Sequence, residues 1–173
     1  GTAARIDVGT VEAGDGVVGL FLNTASIGAY PDFVRTRERL ADRLGGPVAA
    51  AVAVARVWRG TRPVGVTVDG RAIRLAALFV GNGRYSPTHD APQWRARIDD
   101  GLLDLRYIDA GSWPELLGLV TRIVTGRIGA SSRYVERRTG SFRVEVHDGT
   151  ARLTCDGEVR AAASSLDRKS TRL

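Results

Sequence analysis

Cysteine, histidine and aromatic residues are scarce in this sequence. Its 173 residues include one cysteine, Cys155, and two histidines. A single cysteine excludes an internal disulfide and leaves too few thiols for a zinc site, as is typical of proteins from the reducing cytoplasm. No apolar run reaches the roughly 18 residues that a membrane-spanning helix requires. We therefore expect a cytoplasmic protein without a transmembrane helix.

Lysine is nearly absent, although the chain is basic. One lysine stands among 25 basic residues, and the formal net charge is +6. Positive charge favours anionic partners such as nucleic acid, phosphorylated substrates and anionic lipid surfaces. Because the arginines are scattered and only 6% of the residues are aromatic, we expect no nucleic-acid partner.

The hydrophobic pattern is that of a globular domain rich in strands. Alternating or β-branched runs predict eight strands. They lie at residues 4–11, 16–23, 63–70, 72–81, 102–108, 141–148, 150–155 and 159–164. Asp69-Gly70 and Asp148-Gly149 each separate two such runs, and Asp-Gly is a strong hairpin signal. Both pairs are therefore predicted to be plain turns.

Three helices are predicted between these strands. The first covers 32–43, and the second covers 47–59 and is apolar nearly all round, so we expect it to be largely buried. The third begins at Ser112, which forms a capping-box pattern with Glu115. The expected fold is α+β, a mainly antiparallel β-sandwich with three attached helices in one domain, residues 1–163. Residues 164–173 are interpreted as a tail, either foreign to the protein or an ordinary basic C-terminus.

Two segments that break the strand pattern are candidates for a binding site. Gly81-Asn82-Gly83 ends an apolar run, and its glycines allow positive φ and close backbone approach. It is either a tight turn or a cradle for a phosphate or a substrate head group. In 97–104, the adjacent Asp99 and Asp100 favour either an oxygen-liganded Mg²⁺ or Ca²⁺ site or a solvated turn.

The stretch RLTCDGEV, residues 152–159, is the third candidate. Asp156-Gly157 can simply turn the chain. In extended geometry, however, Asp156 and Glu158 share one face, and paired carboxylates suit a general base that accepts the proton of a hydroxyl being phosphorylated.

The order of these motifs resembles a known superfamily. The motifs are FLNTASIGAY at 21–30, LFVGNGRY at 78–85, RIDDGLLDLRYID at 97–109 and LTCDGE at 153–158. Together they resemble the C-terminal half of the diacylglycerol kinase and sphingosine kinase superfamily, nearest its bacterial lipid-kinase branch. The resemblance implies an ATP-dependent lipid kinase of phospholipid metabolism whose C-terminal β-sandwich binds the lipid at a membrane surface.

The resemblance also implies roles for particular residues. Asp156 would take the proton of the lipid hydroxyl, and Glu158 would assist it. Asn82, with Gly81 and Gly83, would bind substrate near the interdomain cleft. A structural Mg²⁺ would be held by the Asp100 side chain and the backbone carbonyls of Arg97 and Leu102.

One element of the superfamily does not occur in this sequence, namely the Gly-Gly-Asp-Gly-Thr nucleotide loop. We therefore expect a fragment that is inactive alone, with ATP and the catalytic Mg²⁺ held by an N-terminal nucleotide-binding domain of the parent chain. A homodimer is kept as an alternative to a monomer. The alternative function is a non-enzymatic β-sandwich module that binds an anionic ligand or a membrane surface.

Overall fold

The fold combines three helices with a large antiparallel sheet. A computed structural model of the chain describes residues 6–13, 16–28, 30–60, 63–85, 95–110, 112–125, 127–147, 151–163 and 165–172. The helices are α1 (Tyr30–Leu44), α2 (Gly46–Gly60) and α3 (Trp113–Val124), with a short 3-10 helix at Ile128–Ala130. The strands are β1 (Asp7–Ala13), β2 (Gly16–Phe21), β3 (Thr24–Gly28), β4 (Val64–Val68), β5 (Arg71–Asn82), β6 (Arg84–Tyr85), β7 (Arg95–Arg97), β8 (Leu103–Asp109), β9 (Tyr134–Thr139), β10 (Ser141–Val146), β11 (Ala151–Cys155), β12 (Glu158–Ala163) and β13 (Ser165–Arg172).

Strand β5 is the centre of the sheet. It pairs with β4, β3 and β8, and its register shifts between Leu75 and Ala77. The strand order is β12-β11-β3-β5-β4-β10-β13-β1-β2, with β8 on β5 and β9 beyond β8, while β6 and β7 form a separate pair. Every pairing among the described strands is antiparallel.

The sheet curls around one apolar core and carries the helices on its other face. Side chains from eight strands, β1 to β5, β8, β10 and β11, meet in that core. On β8 the alternation of a strand is clear, because Leu103 and Leu105 point into the core while Ile108 packs among helical residues such as Leu119. This arrangement confirms the predicted α+β, sandwich-like fold.

The helices differ from their predictions mainly in burial. Helix α2 buries one side, including Ala50 and Val54, but Val48 and Val52 are exposed. The expectation that it is largely buried is therefore wrong for one face, because α1 and α3 cover it only in part. The capping box of α3 is present, since the backbone N–H of Ser112 donates to Glu115 Oε2 over 2.5 Å. In the part of the chain that the structure describes, no helix is long and apolar enough to cross a bilayer.

Strand boundaries and turns show what the pattern predicted and what it missed. The Asp69-Gly70 turn joins β4 and β5 as predicted, with φ of 46° and 84°. Asp148-Gly149 lies outside the described residues. Strands β3, β6, β7 and β9 were not predicted. Residues Ser165–Arg172, interpreted as a tail, run as β13 between β1 and β10.

Candidate functional site

The motifs singled out in the sequence meet at one end of the sheet. The register pairs Thr24 with Gly81, and Ala25 on the same strand with Cys155. It also pairs Asn82 with Leu103. The ends of β5 and β11 and the beginnings of β3 and β8 therefore lie side by side. The loops that follow or precede them form the candidate site.

Asp156-Gly157 is a two-residue turn between β11 and β12. Both residues have positive φ, 47° and 88°, and Cys155 pairs with Glu158 across the turn. Positive φ at both central positions defines a type I′ hairpin turn. The premise that Asp156 and Glu158 lie on one face of an extended segment is therefore wrong. Asp156 both turns the chain and presents its carboxylate.

The carboxylate of Asp156 binds the loop between β2 and β3. Its Oδ1 accepts backbone N–H groups from Asn23 and Thr24 over 2.9 and 2.8 Å, and its Oδ2 accepts that of Leu22 over 2.7 Å. The N–H of Asp156 donates in turn to the Thr24 carbonyl over 2.8 Å. A carboxylate has about four lone-pair sites, so Oδ2 can still accept one further donor. The Asp156 residue is exposed.

Asn82 holds the same loop from the other side. Its backbone N–H donates to the Asn23 carbonyl over 2.9 Å. Its Nδ2 donates to the carbonyls of Leu22 and Asp7 over 3.1 and 2.5 Å. The residue is only 1% exposed, and its buried Oδ1 has no hydrogen-bond partner among the described residues. As placed, Asn82 supports the loop that binds Asp156 rather than facing solvent.

The two glycines beside Asn82 allow close packing. A Cβ on Gly81 would lie 2.3 Å from the ring of Tyr85. Gly83 has a φ of 83°, and a Cβ there would lie 2.2 Å from the Arg97 carbonyl oxygen. Both glycines are buried. Their contacts are therefore with the protein itself, and they fix the positions of Tyr85 and Arg97.

Glu158 begins β12 and, like Asp156, is exposed. Its Oε2 lies 2.8 Å from an Arg160 Nη atom, and its side chain is 71% exposed. It lies one residue beyond the turn, on the strand that edges the sheet. Glu158 therefore lies beside the Asp156-Gly157 turn, but its carboxylate pairs with Arg160.

A buried ion pair lies behind Tyr85. Asp104 and Arg106 form a bidentate pair, with nitrogen–oxygen distances of 2.9 and 2.7 Å. The Tyr85 backbone N–H donates to Asp104 over 3.3 Å, and the Tyr85 hydroxyl donates to the Asn23 carbonyl over 3.1 Å. Burial alone would lower the pKa of Arg106, but its hydrogen bonds to Asp104 and the nearby negative charge raise it. Arg106 is therefore permanently charged and anchors this side of the site.

Of the residues expected to hold a structural Mg²⁺, Asp100 and Leu102 have hydrogen-bond partners within the protein. Asp100 Oδ1 accepts the backbone N–H of Leu102 over 3.1 Å, and its Oδ2 pairs with Arg138. The Leu102 carbonyl accepts the N–H of Gly83 over 2.9 Å, and the Arg97 carbonyl also faces Gly83. As placed, these groups do not form an open set of oxygen ligands. Across the described residues, no group of three or more acidic, histidine or cysteine side chains is placed so that it could hold a metal ion.

Sequence reasoning missed the groups that organise the site. The N–H groups of the β2–β3 loop carry no side-chain signature, Asp7 lies in a run that looks like an ordinary strand, and Tyr85 was given no role although it ends one of the quoted motifs. Asp7 Oδ2 accepts the N–H of Gly101 over 2.5 Å, and its own N–H donates to the Ile98 carbonyl over 2.8 Å. The signal available for Asp7 was its position inside a predicted strand. If that position is buried, as it is here, the carboxylate requires a hydrogen-bond partner.

Comparison with known proteins points to one family and one fold. Residues 34–168 match the family described as the YegS C-terminal NAD kinase beta sandwich-like domain. Two solved structures of a candidate diacylglycerol kinase from Bacillus anthracis str. Sterne share the fold, both with a TM-score of 0.57. Their sequences are 20% and 19% identical to this one. Each match covers 97% of this chain, and it covers 55% of the first Bacillus chain and 54% of the second. The chain thus spans about half the length of these structures. A search of curated protein sequences finds no match.

Proposed function

Because the chain belongs to the family of YegS C-terminal NAD kinase β-sandwich-like domains, we propose that it is the acceptor half of a diacylglycerol kinase-like lipid kinase. In this proposal it binds a lipid and supplies the base for ATP-dependent phosphorylation of the lipid hydroxyl. The observation that carries the proposal is the position of Asp156. Its carboxylate is exposed at the meeting point of the four motifs and is held by three backbone N–H groups.

The geometry of Asp156 suits the transfer step. The lipid hydroxyl donates a hydrogen bond to the remaining lone pair of Oδ2. As the hydroxyl oxygen bonds to the γ-phosphorus and the bond to ADP breaks, its proton passes to Asp156. Such transition states need orientation of the nucleophile more than a strong base. A carboxylate fixed by three amide donors provides that orientation, and Glu158 assists from the next strand.

Asn82 acts as a positioning residue in this proposal. It is buried and binds the carbonyl groups of the same loop whose N–H groups bind Asp156. Any movement of the loop would therefore move the carboxylate. Asn82 thus acts on the substrate through Leu22 and Asn23 rather than by direct contact.

The remaining parts of the reaction would come from the rest of the parent chain. An N-terminal nucleotide-binding domain would hold ATP and the catalytic Mg²⁺, which neutralises charge on the transferred phosphoryl group. The acceptor would reach Asp156 from a membrane surface, since exposed apolar side chains lie on the neighbouring strands. These are Leu20 on β2 and Val159 on β12, and Leu22 in the β2–β3 loop is exposed as well. The enzyme would then be cytoplasmic and peripheral to the membrane.

The test uses two Asp-Gly turns of the same conformation. Asp156→Asn keeps a residue that tolerates positive φ but removes the base, while Asp69→Asn makes the same change in the turn with φ of 46° and 84°. Phosphate transfer from labelled ATP to a lipid panel in mixed micelles is measured with the complete parent protein. We expect Asp156→Asn to lose about 100-fold to 10,000-fold in kcat and Asp69→Asn to retain its activity.

Two results would contradict the proposal. Equal activity of the Asp156→Asn and Asp69→Asn proteins would leave Asp156 as a turn residue only. Binding of the parent protein to anionic vesicles, without transfer to any lipid, would favour the alternative of a non-enzymatic binding module. Circular dichroism and a lipid-sedimentation assay on both variants separate loss of chemistry from loss of folding or binding.

A further inference from the structure

Arginine side chains compensate the acidic residues around the loop of residues 97–102. Each of three aspartates here has a guanidinium partner of its own. The pairs are Asp99 with Arg97 at 3.5 Å, Asp104 with Arg106 at 2.7 Å, and Asp100 with Arg138. These three aspartates therefore leave little uncompensated negative charge to attract a divalent ion.

Arg138 reaches Asp100 from a neighbouring strand. Cross-strand pairing places the Arg138 backbone opposite Asp104, at the start of β8 and just after the loop. The Asp100 side chain is only 10% exposed, whereas that of Arg138 is 41% exposed. A largely buried carboxylate requires a positive or hydrogen-bonding partner, and Arg138 Nη2 is that partner for Oδ2.

Protein groups satisfy the rest of the loop. The backbone N–H of Leu102 donates to Asp100 Oδ1, and the N–H of Gly101 donates to Asp7 Oδ2. The Leu102 carbonyl accepts from Gly83 over 2.9 Å. Because Mg²⁺ requires near-octahedral oxygen coordination, it would have to displace Arg138 and turn at least one of these groups.

We propose that Arg138 replaces a structural divalent cation at Asp100, so that the loop of residues 97–102 folds without metal. The guanidinium supplies the positive charge, and the backbone N–H groups supply the remaining contacts. The inference concerns the folding of this chain and holds whether or not the parent protein phosphorylates a lipid.

Thermal unfolding of the purified chain tests the proposal. The melting temperature is measured in EDTA and in millimolar Mg²⁺ for the wild type, Arg138→Gln and Arg137→Gln. Arg137 is the matched control because it is the next residue on β9, is also 41% exposed and pairs with Asp69, away from the loop. A wild type unaffected by EDTA is expected. Arg138→Gln should melt about 2–4 °C lower in EDTA and recover part of that loss in Mg²⁺.

The Mg²⁺ response separates a cation replacement from an ordinary surface ion pair. Arg137→Gln should show no difference between EDTA and Mg²⁺, because its partner Asp69 lies in a hairpin turn. Arg138→Lys keeps the charge and should stay insensitive to Mg²⁺. The proposal is overturned if EDTA lowers the melting temperature of the wild type. It is also overturned if Arg138→Gln and the wild type have the same melting temperature in EDTA.

Discussion

Gly83 and Gly70 have nearly the same φ angle but different surroundings. Their φ angles are 83° and 84°. A Cβ on Gly83 would lie 2.2 Å from the Arg97 carbonyl oxygen, whereas no described atom lies within 4 Å of a Cβ on Gly70. We expect Gly70→Ala to lower the free energy of unfolding by about 1 kcal/mol, the cost of left-handed backbone for alanine. Gly83→Ala should cost about 3 kcal/mol or more, because backbone must move as well.

Urea unfolding of the two alanine variants, followed by circular dichroism, measures this difference. Because the two glycines share nearly the same φ, the loss of stability in Gly70→Ala estimates the cost of backbone strain alone, and it can be subtracted from the loss in Gly83→Ala. Equal stability of the two variants would mean that the Arg97 backbone yields easily. In that case the Gly-Asn-Gly segment would not fix the loop of residues 97–102.

Residue identity predicted the turns but not the contacts of their carboxylates. Asp69 and Asp156 both precede glycine and both adopt positive φ. The Asp69 carboxylate accepts the N–H of Arg143 and pairs with Arg137, whereas that of Asp156 binds a loop more than 130 residues away in sequence. Local pattern fixes the turn, but only the tertiary fold decides which aspartate faces a candidate site.

At the scale of elements, the N-terminus of α3 is tied to the sheet through Glu115. Its Oε2 accepts the Ser112 N–H, and Arg133 Nε donates to its Oε1 over 3.1 Å. Arg133 also pairs with Asp109 at the end of β8, over 2.8 Å. Hydrogen bonds lower the pKa of Glu115 from its ordinary 4.5 to about 2, and the bond from Arg133 contributes more to this shift than those from Ser112.

This lowered pKa predicts how stability depends on pH. A carboxylate whose pKa is lower in the folded state stabilises the fold above its unfolded pKa, and that contribution is lost as pH falls through the folded value. Glu115→Gln should therefore melt below the wild type at pH 7, and the gap should narrow between about pH 4.5 and pH 2. Melting temperatures in a pH series measure it. A gap of constant size down to pH 2 would contradict the assignment.

Strand β9 shows why some elements were not predicted. Its central residues Glu136, Arg137 and Arg138 are exposed, so the apolar alternation that marks a half-buried strand is missing. Strand β9 pairs with β8 through its backbone and contributes charged side chains to Asp69, Asp100 and Arg106. A strand held by backbone pairing and ion pairs has no apolar alternation from which it could be predicted.

At the scale of the whole molecule, exposed apolar side chains lie on the elements beside the candidate site. Strand β2 lies against the β11–β12 hairpin, since a Cβ on Gly19 would be 3.0 Å from Cys155 Sγ. Large exposed side chains on these two elements are Val17 at 59%, Leu20 at 57%, Leu22 at 45% and Val159 at 62%. Exposed apolar side chains on adjoining elements are where we expect an interaction surface. In the proposed function, the rest of the parent chain or the lipid would cover them.

Binding of a dye specific for apolar surface, together with size-exclusion chromatography, tests this expectation. The isolated chain should bind the dye, and Leu20→Glu with Val159→Glu should abolish most of that binding. Val48→Glu with Val52→Glu is the matched control, because both valines are exposed on α2, away from Asp156. Since each double variant adds the same charge, a difference between them reports position. A dilution-stable monomer that binds no dye would contradict an apolar interaction surface, and a loss confined to the α2 variant would place it on the helices instead.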